Sequence, residues 1–226
     1  VKKQTITIDG PAGAGKSTVA KAIAEALGYT YLDTGAMYRA VAWKGLQEGI
    51  PPEDEEAYTR LANEMEIRFA TTDKGQRVFV DGVDVTEALR TPEVTRLSSP
   101  VSAISGVRRV LVAQQQQMGR CGGVVAEGRD TGTVVFPDAE VKIFLTASEE
   151  ERARRRWLER VAQGERVTLE EILVQQRQRD QRDSSRADSP LRPADEAVWI
   201  DTTHMTREAV IQRILELCRT RRRNSA

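Results

Sequence analysis

Between Gly10 and Thr18 the chain reads Gly-Pro-Ala-Gly-Ala-Gly-Lys-Ser-Thr. Gly10, Gly15, Lys16 and Ser17 fill the four fixed positions of G-x-x-x-x-G-K-[ST], and that spacing has a mechanical cause. Glycines let the backbone wrap so that successive N–H groups point inward at a phosphate chain. A helix beginning near Gly15 adds the positive end of its dipole to the same place. Lys16 then reaches the β- and γ-phosphates, and the Ser17 hydroxyl is set to ligate Mg²⁺. The chemistry this implies is binding of a nucleoside triphosphate by the stretch Gly10, Pro11, Ala12, Gly13, Ala14, Gly15, Lys16, Ser17 and Thr18.

Such a loop works only if a strand delivers it and a helix leaves it. Thr5 to Ile8 read as a buried strand, and Ser17 to Leu27 carries Val19, Ala20, Ile23, Ala24 and Leu27 at helical spacing. Tyr29 to Asp33 reads as a second strand and Thr34 to Leu46 as a second helix. After Pro51-Pro52, Glu53 to Met65 is another amphipathic helix. The period then changes to two. Glu66–Phe69, Arg77–Asp81 and Val83–Val85 are separated by Asp73-Lys74-Gly75 and Asp81-Gly82, which are hairpin turn signals. Leu97 to Met118 predicts one further helix. Val124–Ala126 and Val141–Thr146 are apolar strands, Val198–Asp201 is a last short one, and Arg207–Leu217 predicts a terminal amphipathic helix. Strands alternating with helices imply an α/β fold with a parallel sheet covered on both faces.

The polar residues just beyond each strand are where ligands gather in such a sheet. They are the loop from Gly10, Asp33-Thr34, Glu127-Gly128-Arg129-Asp130, and Thr146 onward. Glu127 and Asp130 stand where a phosphate-loop enzyme keeps the acid that orients magnesium and its waters; capping of a helix is the plainer use of Asp130. From Ser148 to Arg186 the chain holds ten Arg and nine acidic residues, broken at Gly164. Arg152, Arg156 and Arg160 lie four apart, so part of this is ordinary pairing on a wet helix face. Two helices pivoting at Gly164 would also make a lid whose arginines neutralise a phosphoryl group in transfer.

Composition narrows the classes. The 226 residues suit one α/β core with insertions, and 34 basic against 34 acidic side chains leave no net field drawing the chain to nucleic acid or membrane. The 27 Arg against 7 Lys favour phosphate contacts, although base composition accounts for such a bias equally well. Cys121 and Cys218 have no zinc or disulfide spacing, and His204 is the only histidine, which excludes a His triad. With no membrane span and no signal-peptide core, a cytoplasmic location is expected. The basic end, Arg219–Arg223, reads as a frayed and solvated terminus.

Taken together, Gly10–Thr18, Leu32-Asp-Thr-Gly-Ala-Met-Tyr-Arg39, Glu127-Gly-Arg-Asp-Thr-Gly-Thr-Val-Val-Phe-Pro-Asp-Ala139 and Arg179-Asp-Gln-Arg-Asp-Ser-Ser-Arg186 resemble the bacterial cytidylate kinases over nearly the whole chain. That resemblance implies an enzyme passing the γ-phosphoryl group of ATP to CMP or dCMP, with Mg²⁺. Thr34, Arg39, Arg129 and Arg186 would hold the acceptor phosphate, Arg179 and Asp183 the ribose, and Ser99, Arg108 and Asp130 the cytosine. Lys16, Arg129, Asp130 and Arg186 would form the catalytic set. Since some members carry Gly-Thr where this chain has Ser17-Thr18, either hydroxyl could meet the metal.

The resemblance further implies a phosphate-loop NTPase core at 1–36, 98–147 and 187–226. A monophosphate-binding region with a small antiparallel β insertion would occupy 37–97 and a helical lid 148–186. The partners expected are the two nucleotides, with no nucleic acid and no membrane, and a monomer. A kinase for UMP, shikimate or dephospho-coenzyme A is the nearest rival, opposed by Ser99, Arg108 and the Gly-Arg-Asp segment. A GTPase-like switch lacks support because no Asn-Lys-x-Asp occurs, the only asparagines being Asn63 and Asn224.

Overall fold

A computed structural model describes residues 3–73 and 75–224; Lys74, centre of the expected Asp73-Lys74-Gly75 turn, lies outside the described residues. In chain order the elements are β1 (Thr5–Asp9), α1 (Lys16–Leu27), β2 (Thr30–Asp33), α2 (Thr34–Gln47), α3 (Glu55–Glu64), β3 (Ile67–Thr72), β4 (Gly75–Val80), β5 (Val83–Asp84), α4 (Pro92–Val101), α5 (Ser105–Gly119), β6 (Val124–Gly128), β7 (Val141–Thr146), α6 (Glu149–Ala162), α7 (Leu169–Ser185), β8 (Val198–Asp201) and α8 (Arg207–Asn224). They form two units, Val1–Leu32 with Met118–Ala226, and Asp33–Gln117. The second unit takes in residues 98–117, which the sequence alone groups with the core; α4 packs along α2 within it.

The first unit is built on a five-stranded sheet in the order β2-β6-β1-β7-β8. β1 is central and parallel to both neighbours, with Asp9 level with Gly128 and Phe144. Ile6, Thr7, Ile8 and Asp9 are all buried there, so both faces of the strand are covered although polar and apolar residues alternate along it. Val19, Ala20 and Ile23 of α1 and Val210, Ile214 and Leu215 of α8 close over the same core as Val125, Ile143 and Leu145. Helix α8 runs on through Arg219–Arg223 to Asn224, so the basic end is helical, and it is exposed as expected. Cys218 keeps the apolar face buried into the last turns, Arg222 donates to the Tyr29 hydroxyl at 2.8 Å, and the arginines complement the helix C-terminus. No described helix is long and apolar enough to cross a membrane.

The charged stretch is two helices. Gln163 caps α6, Gly164 follows at φ +83°, and Thr168 with Glu171 makes a reciprocal capping box that starts α7. The pair is held by side chains: Arg177 grips Glu149 with bonds of 2.9 and 2.8 Å, and the Trp157 indole donates to the Val167 carbonyl at 3.0 Å.

In the second unit β3, β4 and β5 form an antiparallel sheet. Asp81 (φ +49°) and Gly82 (φ +81°) make the tight turn that Asp-Gly predicts. The Asp81 carboxylate also accepts from the Glu66 amide at 2.8 Å and pairs with Lys44. The single helix expected from Leu97 to Met118 is two. Pro100 has no N–H to donate, α4 ends at Val101, and a turn from Ala103 N to Pro100 O replaces the ladder before α5 begins.

Where α2 crosses α3, Gly45 faces the fully buried Tyr58, and a Cβ at Gly45 would stand 2.3 Å from the ring carbon Cε1. Gly45→Val is expected to cost about 3 kcal/mol through overpacking. Gly45→Ala should cost less, since alanine regains about 1 kcal/mol of helix propensity. Urea unfolding of the two variants checks the ranking; equal stability of Gly45→Val and the unaltered chain would show that the crossing has slack.

Candidate active site

β1 ends on Asp9 and the loop begins at once. Gly10 sits at φ +149°, and a Cβ there would come within 1.9 Å of the Leu145 carbonyl on β7, so no other residue fits. Gly15 (φ +90°) is the N-cap of α1. Lys16 follows, buried, with its ammonium donating to the Pro11 carbonyl at 2.7 Å. Burial, aided by the nearby Arg129 guanidinium and opposed by Glu127, lowers its pKa to about 7. Ser17 and Thr18 are both exposed on the first turn of α1.

The exit of β6 supplies the second set. Glu127 is buried and accepts from the Tyr31 hydroxyl. Arg129 donates through Nε to Asp183 at 2.8 Å and through Nη1 to the Gly128 carbonyl at 3.2 Å. Arg186 stands 4.0 Å from the other Asp183 oxygen and donates to the Ser189 carbonyl at 2.7 Å. Burial by itself would raise the Asp183 carboxyl, but Arg129, Arg179 and Arg186 together hold it below its ordinary value. The structure therefore brings Arg129, Arg179, Asp183 and Arg186 into one network. Asp130 is buried at the head of a π-turn, Thr131–Val135, without capping it. The capping use that the sequence allowed for Asp130 is thus overturned: Asp9 makes those bonds instead.

Two more residues of this unit were not legible as site residues. Arg152, which the spacing allows either on a wet helix face or among the lid arginines, is buried. It donates to the Ala12 carbonyl of the loop at 3.0 Å, to Asp180 at 2.7 Å and to the Ala147 carbonyl at 3.1 Å. Arg155 donates to the Thr202 hydroxyl at 3.0 Å and carbonyl at 2.7 Å. Arg154 lies exposed beside Glu151. Arg152, Arg154 and Arg155, close together on one helix, thus have different surroundings. Asp9 did leave a signal, a lone carboxylate ending an apolar strand.

Thr34, Arg39, Ser99 and Arg108 belong to the second unit. Asp33 caps α2 by accepting from the Ala36 amide at 2.8 Å, and its other oxygen accepts from Arg39 at 2.9 Å. Thr34 is the buried first residue of that helix. Arg108 is 2% exposed, lies 5.0 Å over the Tyr38 ring and donates to the Ser102 carbonyl at 2.8 Å, a group freed by the break after Pro100. Ser99 is buried, and its Oγ has no partner among the described residues.

A parallel sheet whose central strand delivers a glycine-rich loop, a buried lysine at that loop and an arginine–carboxylate network at the next strand exit define a phosphate-loop kinase-type α/β protein. A model of the family described as cytidylate kinase matches residues 6–220, and the chain belongs to that family. It is 51% identical over 215 residues to the cytidylate kinase of Bacillus subtilis (strain 168), covering 95% of this chain and 96% of that one. Against the cytidylate kinase of Geobacter sulfurreducens it is 49% identical, covering 96% of this chain and 94% of that one. Against the bifunctional pantoate ligase/cytidylate kinase of Synechococcus sp. (strain JA-3-3Ab) it is 53% identical over 96% of its own length, and it spans 41% of that relative.

Because Lys16 has a pKa lowered to about 7 with only a carbonyl to bind, a triphosphate should restore its charge. With the Lys16 pKa lowered in the free protein, binding of ATP near pH 8 should take up protons, and affinity should weaken as pH rises from 7 to 9. Calorimetry in two buffers of different ionisation enthalpy measures the uptake, and Lys16→Met should abolish it. Proton-neutral binding by the unaltered chain would mean that Lys16 is already charged.

Proposed function

We propose that the chain transfers the γ-phosphoryl group of ATP to CMP or dCMP, giving ADP and CDP or dCDP, by direct in-line transfer. The observation that carries this reading is the family membership at about half identity over nearly the full length of the monofunctional cytidylate kinases. The acceptor is already an anionic oxygen, so no protein nucleophile is required. The task is to align two polyanions and offset their repulsion. Lys16 attends the γ-phosphate. Thr34, Arg39, Arg129 and Arg186 attend the acceptor phosphate. Arg179 and Asp183 hold the ribose, and Ser99, Arg108 and Asp130 read the base.

Mg²⁺ fits this donor set: among the described residues no cluster of acids or histidines could hold a metal alone, whereas the exposed Ser17 hydroxyl, with Thr18 beside it, suits an ion that rests mainly on phosphate oxygens. When bound, it supplies positive charge to those oxygens. The protein acts as a cytoplasmic monomer in this reading, on small nucleotides rather than nucleic acid.

Base choice tests the assignment. Cytosine offers an amino donor at N4 and acceptors at N3 and O2, whereas uracil offers an acceptor at O4 and a donor at N3. Asp130 accepts from the amino group, Arg108 donates to the acceptors, and the Ser99 hydroxyl serves either way. Uracil would leave buried groups unpaired, so kcat/KM for CMP should exceed that for UMP by about 10² or more. A monophosphate panel with ATP and Mg²⁺, read as ADP release, measures this. Ser99→Ala with Arg108→Met should shrink the ratio mainly by slowing CMP; full retention of the preference would move base reading elsewhere.

The α6–α7 pair serves in this reading as a lid that shields the triphosphate. Amide exchange across residues 148–185 should slow when an ATP analogue and CMP are added together. Exchange that ignores both nucleotides would make the pair a static charged face.

A further inference from the structure

Asp9 takes no part in the chemistry outlined so far, yet it is 2% exposed and uses both carboxylate oxygens. Oδ1 accepts from the Thr131 amide at 2.9 Å and the Thr131 hydroxyl at 2.8 Å, and Oδ2 accepts from the Gly132 amide at 2.8 Å. Thr131 and Gly132 open the π-turn, whose internal bonds begin with Val134 N and Val135 N donating to the Asp130 carbonyl. A carboxylate at the amide end of a helical turn satisfies donors that otherwise have no partner. Here it comes from 122 residues away. Directly before the turn stand Arg129 and Asp130. The close approach depends on Gly132, since a Cβ there would lie 2.8 Å from Thr7 Oγ1 and 3.4 Å from Asp9 Oδ2. Burial raises the Asp9 pKa to about 6, while the hydrogen bonds from Gly132 and Thr131 favour the ionised carboxylate.

We infer that Asp9 is a positioning residue that clamps the turn carrying Arg129 and Asp130, so that the strand opening the phosphate loop also sets the acceptor side of the site. This rests on the proposed roles of Arg129 and Asp130 toward CMP. The Asp9 backbone is held in the ladder level with Gly128 and Phe144. A change of its side chain therefore displaces the turn and leaves the loop in place.

Asp9→Asn keeps one accepting oxygen for Thr131 but sets an amide donor against the Gly132 N–H. The KM for CMP should rise about tenfold while the KM for ATP stays within about twofold. A residue needed only for folding would lower the active fraction and leave both KM values alone, and either that result or a parallel rise in both KM values overturns the inference. Thr131→Val removes one bond of the clamp and should reproduce the split more weakly, whereas Thr131→Ser, which keeps the hydroxyl, should restore unaltered values. If Asp9→Asn does not fold, the Thr131 pair decides by the same criterion. Gly132→Ala should also raise the KM for CMP, and adding Thr7→Ala, which removes the atom at 2.8 Å, should recover part of the loss.

Failure of the kinase reading shows separately, as ADP release from the unaltered chain that ignores CMP. The clamp has its own readout in that case: slow amide exchange at Thr131 and Gly132 that quickens in Asp9→Asn supports it, and exchange unchanged by the substitution overturns it.

Discussion

Charge kept out of water governs this structure. A buried ionic group is tolerated only when partners replace the water it has lost. Arg129 has Asp183, Arg152 has Asp180 and a loop carbonyl, Glu127 has the Tyr31 hydroxyl, and Asp9 has two amides and a hydroxyl. Lys16 stands apart, since a carbonyl dipole offsets only part of its desolvation and its proton is loosely held. A phosphate would supply the full charge that the carbonyl does not. The same burial that weakens the free lysine therefore raises the worth of a phosphate contact, because Coulomb attraction grows as the local dielectric falls.

The sheet makes this possible. β1 runs parallel between β6 and β7, so three strand ends open in the same direction and their exit residues share one edge. Parallel pairing also removes any solvent-facing role for β1, which leaves Asp9 no escape to water. Its carboxylate must find donors within the protein, and the π-turn after β6 provides them. Phosphate loop and arginine-bearing turn are thereby joined by side-chain bonds as well as by the ladder.

The α6–α7 pair obeys the same rule with a different outcome at each arginine. Arg154 is exposed beside Glu151, a contact of small worth in water. Arg152, two residues earlier, is enclosed by the loop and by Asp180. A helix turns by about 100° per residue, so neighbours in sequence meet different surroundings. Density of charge along the chain says little about which charge matters.

Much was legible before any fold was known. The loop at Gly10–Thr18, the period-two insertion with its Asp81-Gly82 turn, the strand–helix alternation and the family itself depend on residues close in sequence, and local spacing reports local geometry. The helix break between α4 and α5 was missed, although Pro100, which lacks an N–H, stands just before it. What the sequence by itself determined is therefore the strand–helix alternation, the hairpin insertion and the phosphate loop. Tertiary structure alone decided that Arg152 rather than Arg154 meets the loop, that Asp183 lies against Arg129, and that Asp9 rather than Asp130 caps the π-turn. Each of these depends on which faces of distant segments meet in a desolvated interior, and no spacing along the chain encodes that meeting.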